Sequence, residues 1–85
     1  MRRCILIVDD EPYILRILSF KLRRAGYSTL EAVSAEQARD LLSEHTVDLM
    51  LLDVALATPT TGFEFAEQLR QDPRTAHLPI VMLTA

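Results

Sequence analysis

The residues of this 85-residue chain best suited to chemistry are acids at the ends of apolar runs. Asp9, Asp10 and Glu11 follow directly on Ile5-Leu6-Ile7-Val8, and a second run, Val47 to Leu52, stops on Asp53. A third, Ile80 to Leu83, stops on a hydroxyl, Thr84. Aliphatic runs seek burial and ionised carboxylates resist it, so each junction marks a place where the chain leaves a core. Like charges about 4 Å apart repel by several kcal/mol at an effective dielectric near ~20. Carboxylates gathered in one place therefore need a cation, a proton or solvent among them. Hard oxygen donors suit Mg²⁺, which takes a few carboxylates and keeps waters for a phosphate oxygen to replace. A carboxylate beside such a cation could act as a nucleophile toward a phosphoryl group, giving an acyl phosphate. Local alternatives stand beside this reading. Glu11 before Pro12, or Asp10, could cap a helix or complement its dipole. That account does not reach Asp9 or Asp53. Taken alone, Thr84 is an ordinary residue for a strand end.

These residues must be positioned by alternating elements. Cys4 to Val8 reads as a buried strand. Pro12 to about Ala25 reads as a helix, with proline in its first turn, Gly26 past its end, and Ile14, Leu15, Leu18 and Leu22 as its apolar stripe. Tyr27 to Ala32 is a weaker strand. Ser34 and Gln37 form a capping box opening a helix through about Glu44, with Ala38, Leu41 and Leu42 inward. Val47 to Leu52 is a strong strand. After a Thr-, Pro- and Gly-containing loop, Phe63 to about Gln71 is a helix with Phe63, Ala66 and Leu69 at helical spacing. Phe63 and Phe65 lie two apart, so one belongs to the core and the other is more exposed. Asp72-Pro73 ends that helix, and Ile80 to Leu83 is the last strand. Near-continuous apolar strands alternating with helices call for an α/β fold, an open parallel sheet with helices on both faces. Right-handed crossovers give the flavodoxin-like strand order 2-1-3-4, whose switch point lies between strands 1 and 3. Ligands of such sheets bind outside the carboxyl ends of the strands at that point. Asp9, Asp10 and Asp53 all fall there.

The totals narrow the classes. The length suits one small domain, 1–85, and 49% hydrophobic residues exclude a disordered chain. A net charge of -3 argues against direct nucleic-acid binding, which rests on cationic neutralisation of phosphates. The apolar stretch before Asp9 is too short for a signal peptide or membrane anchor. The single cysteine, Cys4, cannot form an intrachain disulfide, and a small core residue in a reducing cytoplasm is its natural reading. His45 and His77 have no metal-binding set around them in sequence and read as solvated surface residues, as do Arg70 and Arg74.

"ILIVDDEPYILRILSFKLRRAGY", "VDLMLLD" and "LPIVMLTA" resemble the receiver domain of two-component response regulators, and the likeness covers the whole chain. The resemblance implies that Asp53 is the phosphoacceptor, phosphorylated by a sensor histidine kinase or phosphotransfer protein. It implies that Asp9 and Asp10 are the acid pair for Mg²⁺, Asp10 the direct ligand, with Asp53 and the backbone carbonyl of Ala55 completing the set. Thr84 would be the hydroxyl that bonds the new phosphoryl oxygen, and Ala85 the small residue beside it. The new charge and acceptor oxygens would draw Thr84 and move the following loop. Such a domain is not a conventional enzyme; at most it catalyses slow self-phosphorylation and self-dephosphorylation.

Two departures from the family stand out. Receivers commonly carry a proline four positions after the phosphoacceptor and a glycine eight after it. Here those positions are Ala57 and Thr61, and Pro59 and Gly62 come later, so the loop is one residue longer, an insertion that surface loops tolerate. A full receiver also continues through helix 4, strand 5 and helix 5, which supply a catalytic lysine and an aromatic switch. Neither lies within these 85 residues, where Lys21 of the first helix is the only lysine. Without those elements strand 4 is an open edge, and Ile17, Phe20 and one face of strands 3 and 4 are exposed apolar surface, favouring a homo-oligomer. The alternative reading is accordingly a shortened or degenerate receiver acting as a structural or dimerisation module without phosphotransfer. A flavin- or nucleotide-binding flavodoxin-like protein shares the topology, but it would want a Gly- or hydroxyl-rich phosphate loop where this chain has Asp-Asp-Glu-Pro.

Overall fold

A computed structural model describes residues 2–57 and 59–84. The elements alternate along the chain as β1 (Cys4–Val8), α1 (Pro12–Arg24), β2 (Ser28–Ala32), α2 (Ala35–Glu44), β3 (Leu49–Asp53), α3 (Gly62–Gln71) and β4 (Ile80–Leu83). The strands form one sheet in the order β2-β1-β3-β4, and all its pairings are parallel. This is the flavodoxin-like arrangement that the alternation predicts, with its switch point between β1 and β3. Among the described residues no helix is long and apolar enough to cross a membrane.

Strand alternation sends successive side chains to opposite faces, and the two faces pack differently. Leu6, Val8, Met50 and Leu52 point to one side and are closed over by Ala35 and Ala38 of α2 and by Phe65 and Leu69 of α3. Ile5 and Ile7 point to the other, where Leu15 of α1 is the buried helical partner and Leu18, Leu22, Leu49 and Leu51 are only partly covered. On that same side Ser19 is fully buried, and its hydroxyl donates to the Thr29 hydroxyl at 2.8 Å, joining α1 to β2. Ile17 and Phe20 of α1 and Val81 of β4 remain exposed.

Local signals set the helix ends. Pro12 opens α1, and Gly26 follows its end with a φ of 102°, a left-handed conformation that glycine adopts without steric cost. Ser34 accepts from the Gln37 N–H at 3.1 Å, as the capping pattern predicts, but the Gln37 side chain accepts from Val33 rather than from Ser34. At α3, Thr61 and Glu64 form a complete capping box, so the helix begins at Gly62. Of the two phenylalanines that the sequence leaves open, Phe65 is the core residue, on the same face as Leu69 four positions on, and Phe63 is 66% exposed. β2 and β3 each begin later than the apolar pattern predicts, at Ser28 and Leu49, because pairing with β1 begins there.

Candidate functional site

The sheet register assembles the site. Val8 lies opposite Leu52 in β3, so Asp9, one residue on, emerges beside Asp53, the last residue of β3. The Asp9 N–H donates to the Ala32 carbonyl at 3.0 Å and extends the β1–β2 ladder, which holds the backbone at the point where the acids begin. Asp9, Asp10 and Asp53 each present a carboxylate oxygen such that all lie within 4.8 Å of one another. Asp53 is paired with Leu83, and the Val54 N–H donates to the Leu83 carbonyl at 3.0 Å, so Thr84 follows immediately beside the cluster and is solvent-exposed. Ala85, expected next to it as the small residue of the site, lies outside the described residues.

Backbone amides anchor one oxygen of each acid. Asp9 accepts from Glu11 N–H at 2.9 Å, Asp53 from Ala55 N–H at 2.9 Å, and Asp10 from Ala57 N–H at 3.1 Å. The first two are bonds to the residue two positions on, while the third crosses from the loop after β3 back to the end of β1. Glu11 occupies the N-cap position of α1, but its side chain makes no capping bond, so the helix-cap reading holds for its backbone alone. Asp9 is 7% exposed. Burial pushes its carboxyl above the usual range, and the charges of Asp53, Asp10 and Glu11 push the same way, while the Glu11 N–H opposes them.

The loop after β3 returns to the site at Gly62. A Cβ on Gly62 would overlap the Asp53 carbonyl oxygen and lie 3.1 Å from the Asp53 carbonyl carbon and from Val54 Cα. The glycine that begins α3 is thus pressed against the Asp53–Val54 peptide despite the longer loop. Only a residue without a side chain permits this approach. Sequence reasoning gave Gly62 no role beyond its displaced position, and Ala57 none beyond its departure from proline. The displaced spacing was the available signal for both.

The donor set suits a small hard cation. Mg²⁺ bonds of about 2.0–2.1 Å place opposite oxygens of one ion roughly 4 Å apart. A span of 4.8 Å needs a small contraction, or a water between the ion and one acid, to hold it. Lys21 lies exposed on α1, nine residues from Pro12, which at ~1.5 Å per residue is roughly 14 Å along the helix from the end that meets the site. Cys4 is half-buried at the opposite end of β1, and burial, then the nearby Asp48 charge, hold its thiol above the ordinary value, as suits an unreactive residue.

An open parallel sheet in the order β2-β1-β3-β4, with acids clustered at its switch point, places the chain in the flavodoxin-like α/β class. Residues 5–85 match the family model of the response regulator receiver domain, and the chain belongs to that family. It is 43% identical over 83 residues to the phosphate regulon transcriptional regulatory protein PhoB of Pseudomonas aeruginosa, a match covering 98% of this chain and 36% of that protein. The chain therefore spans about a third of that relative's length. Its structure matches the N-terminal domain of a response regulator receiver protein from Methanoculleus marisnigri with a TM-score of 0.92 and 39% identity, over 96% of this chain and 66% of that one. The response regulator TrrA of Thermotoga maritima, solved in complex with Mg(2+)-BeF, matches with a TM-score of 0.87 and 32% identity, over 98% of this chain and 70% of that one.

Proposed function

We propose that residues 1–85 act as a single receiver unit, phosphorylated on Asp53 by a sensor histidine kinase or phosphotransfer protein with Mg²⁺ as cofactor. The observation that carries this reading is the approach of Asp9, Asp10 and Asp53, from two strands, to within 4.8 Å. Asp9, Asp10 and Asp53, with the Ala55 backbone carbonyl, are the residues that would hold the ion. When bound, Mg²⁺ supplies charge neutralisation for the acids and for the incoming phosphoryl oxygens. The chain's own part is positional. β3 and the Ala55 N–H orient Asp53, the packing of Gly62 fixes its peptide, and one carboxylate oxygen stays free to attack phosphorus as the donor's leaving group departs. Thr84, the residue that follows the end of β4 opposite Asp53, would be the hydroxyl that answers the new phosphoryl group, and Ala85 the small residue after it in sequence. The signal then passes as a conformational change of the segment that follows β4. A cytoplasmic location accords with this chemistry, which draws on a cellular phosphodonor. Self-association through the exposed side of α1 and the edge of β4 is the remaining part of the reading.

Intact-mass measurement tests the assignment. Incubated with a small acyl-phosphate donor and Mg²⁺, the chain is expected to gain one phosphoryl group and Asp53→Asn none. Equal labelling of the two would sink the assignment to Asp53.

A further inference from the structure

We infer that the longer loop after β3 positions Asp10 through the Ala57 backbone amide, so that the loop's conformation and cation affinity are linked. This rests on the reading of the acidic cluster as a cation site. Three observations support it. Asp9 and Asp53 are each anchored by an amide two residues ahead, within their own turns. Asp10 has no such local bond among the described hydrogen bonds; its Oδ2 is held by Ala57 N–H, forty-seven residues on. And an alanine at this position has the N–H that a proline lacks.

A carboxylate has two oxygens and about four acceptor sites, so an amide on one oxygen leaves the other for an ion. The amide also restricts the rotation of a half-buried side chain that faces two other acids, and it offsets part of their mutual repulsion. Both effects prepare Asp10 before the ion arrives. Because the bond spans the switch point, whatever holds the loop in place also holds Asp10. Ion binding must by reciprocity favour the same loop conformation. The anchor at the other end of the loop is Gly62, which packs against the Asp53–Val54 peptide.

The test compares Mg²⁺ affinity, by calorimetric titration, in the wild type, Ala57→Pro and Ala57→Ser. Proline removes the donor, and serine keeps it. Ala57→Pro is expected to bind Mg²⁺ about 5- to 10-fold more weakly, as for loss of one partly solvated charge-assisted hydrogen bond, with serine retaining the affinity. Affinity in Ala57→Pro equal to or tighter than wild type overturns the inference while leaving the cation site intact. A wild type that binds no Mg²⁺ overturns the cation reading itself and this linkage with it. Amide hydrogen exchange in the wild type decides the matter even if the proline variant does not fold. The Ala57 N–H is expected to exchange severalfold more slowly with Mg²⁺ than without it. Exchange at this amide that is indifferent to a saturating ion overturns the linkage.

Discussion

The two faces of the sheet share strands but not fates. On one, Leu6, Val8, Met50 and Leu52 are fully enclosed by α2 and α3. On the other, among the described residues, α1 is the only helix covering Ile5 and Ile7, while Leu49 and Leu51 are only partly buried and Val81 is 47% exposed. The acids emerge at the end shared by both, yet they depend chiefly on the enclosed face. Phe65 anchors α3, α3 begins at Gly62, and Gly62 sets the Asp53 peptide. The open face contributes the start of α1 and little else to the site. Geometry at a site thus follows the better-packed layer, because close packing converts small displacements into energy.

Truncations on the two faces separate them. Phe65→Ala, on the enclosed face, is expected to cost about 3–5 kcal/mol by denaturant unfolding, since it leaves a large cavity against α2 and β3. Leu15→Ala, on the open face, is expected at the low end of the usual range, about 2–3 kcal/mol, because that side can relax toward solvent. A larger cost at Leu15 than at Phe65 would break the comparison.

Gly62→Ala tests whether the enclosed face carries the site. The added Cβ cannot be placed without moving the Asp53–Val54 peptide. Its stability cost is expected at about 1–3 kcal/mol, the usual range for overpacking, together with at least a tenfold fall in phosphorylation rate by acyl phosphate. An unchanged rate would show that the contact does not orient Asp53.

Asp9→Asn keeps the acceptor for Glu11 N–H and removes one charge from the cluster. Without a divalent ion it is expected to stabilise the chain by on the order of 1 kcal/mol, or ~4–8 °C in Tm. The sign follows from the raised carboxyl of Asp9. The folded chain holds this proton to higher pH than the unfolded one, so Asp9 lowers stability as pH rises from the ordinary carboxylate range through the folded value, and the cost persists above it. The variant's advantage should therefore be present at neutral pH and vanish as pH drops below that range, in melts taken with a chelator present. Smallest of all, Ile17→Ser on the exposed side of α1 is expected to shift stability by no more than about 0.5 kcal/mol. If the open face supports self-association, the same change reduces the mass seen by light scattering at high concentration.

Much of this was legible in the linear chain. The 3.6- and 2-residue periodicities mark the helices and strands, and apolar runs ending in acids mark the carboxyl ends of β1 and β3. Once parallel order is required, the convergence of Asp9, Asp10 and Asp53 follows from topology rather than from any local signal. The ends of α1 were readable because Pro12 and Gly26 act within a turn of their own positions.

What the sequence determined by itself is therefore short-range: which segments are strands and helices, which strand ends carry acids, and which residues can cap. The tertiary structure decided the rest. It chose Phe65 over Phe63 for the core, because α3 packs on the sheet through the face that also carries Leu69. It pressed Gly62 against Asp53 and placed the Ala57 amide on Asp10. Such contacts depend on sheet register and on how a loop closes across the switch point. Neither is encoded in the spacing of neighbouring residues.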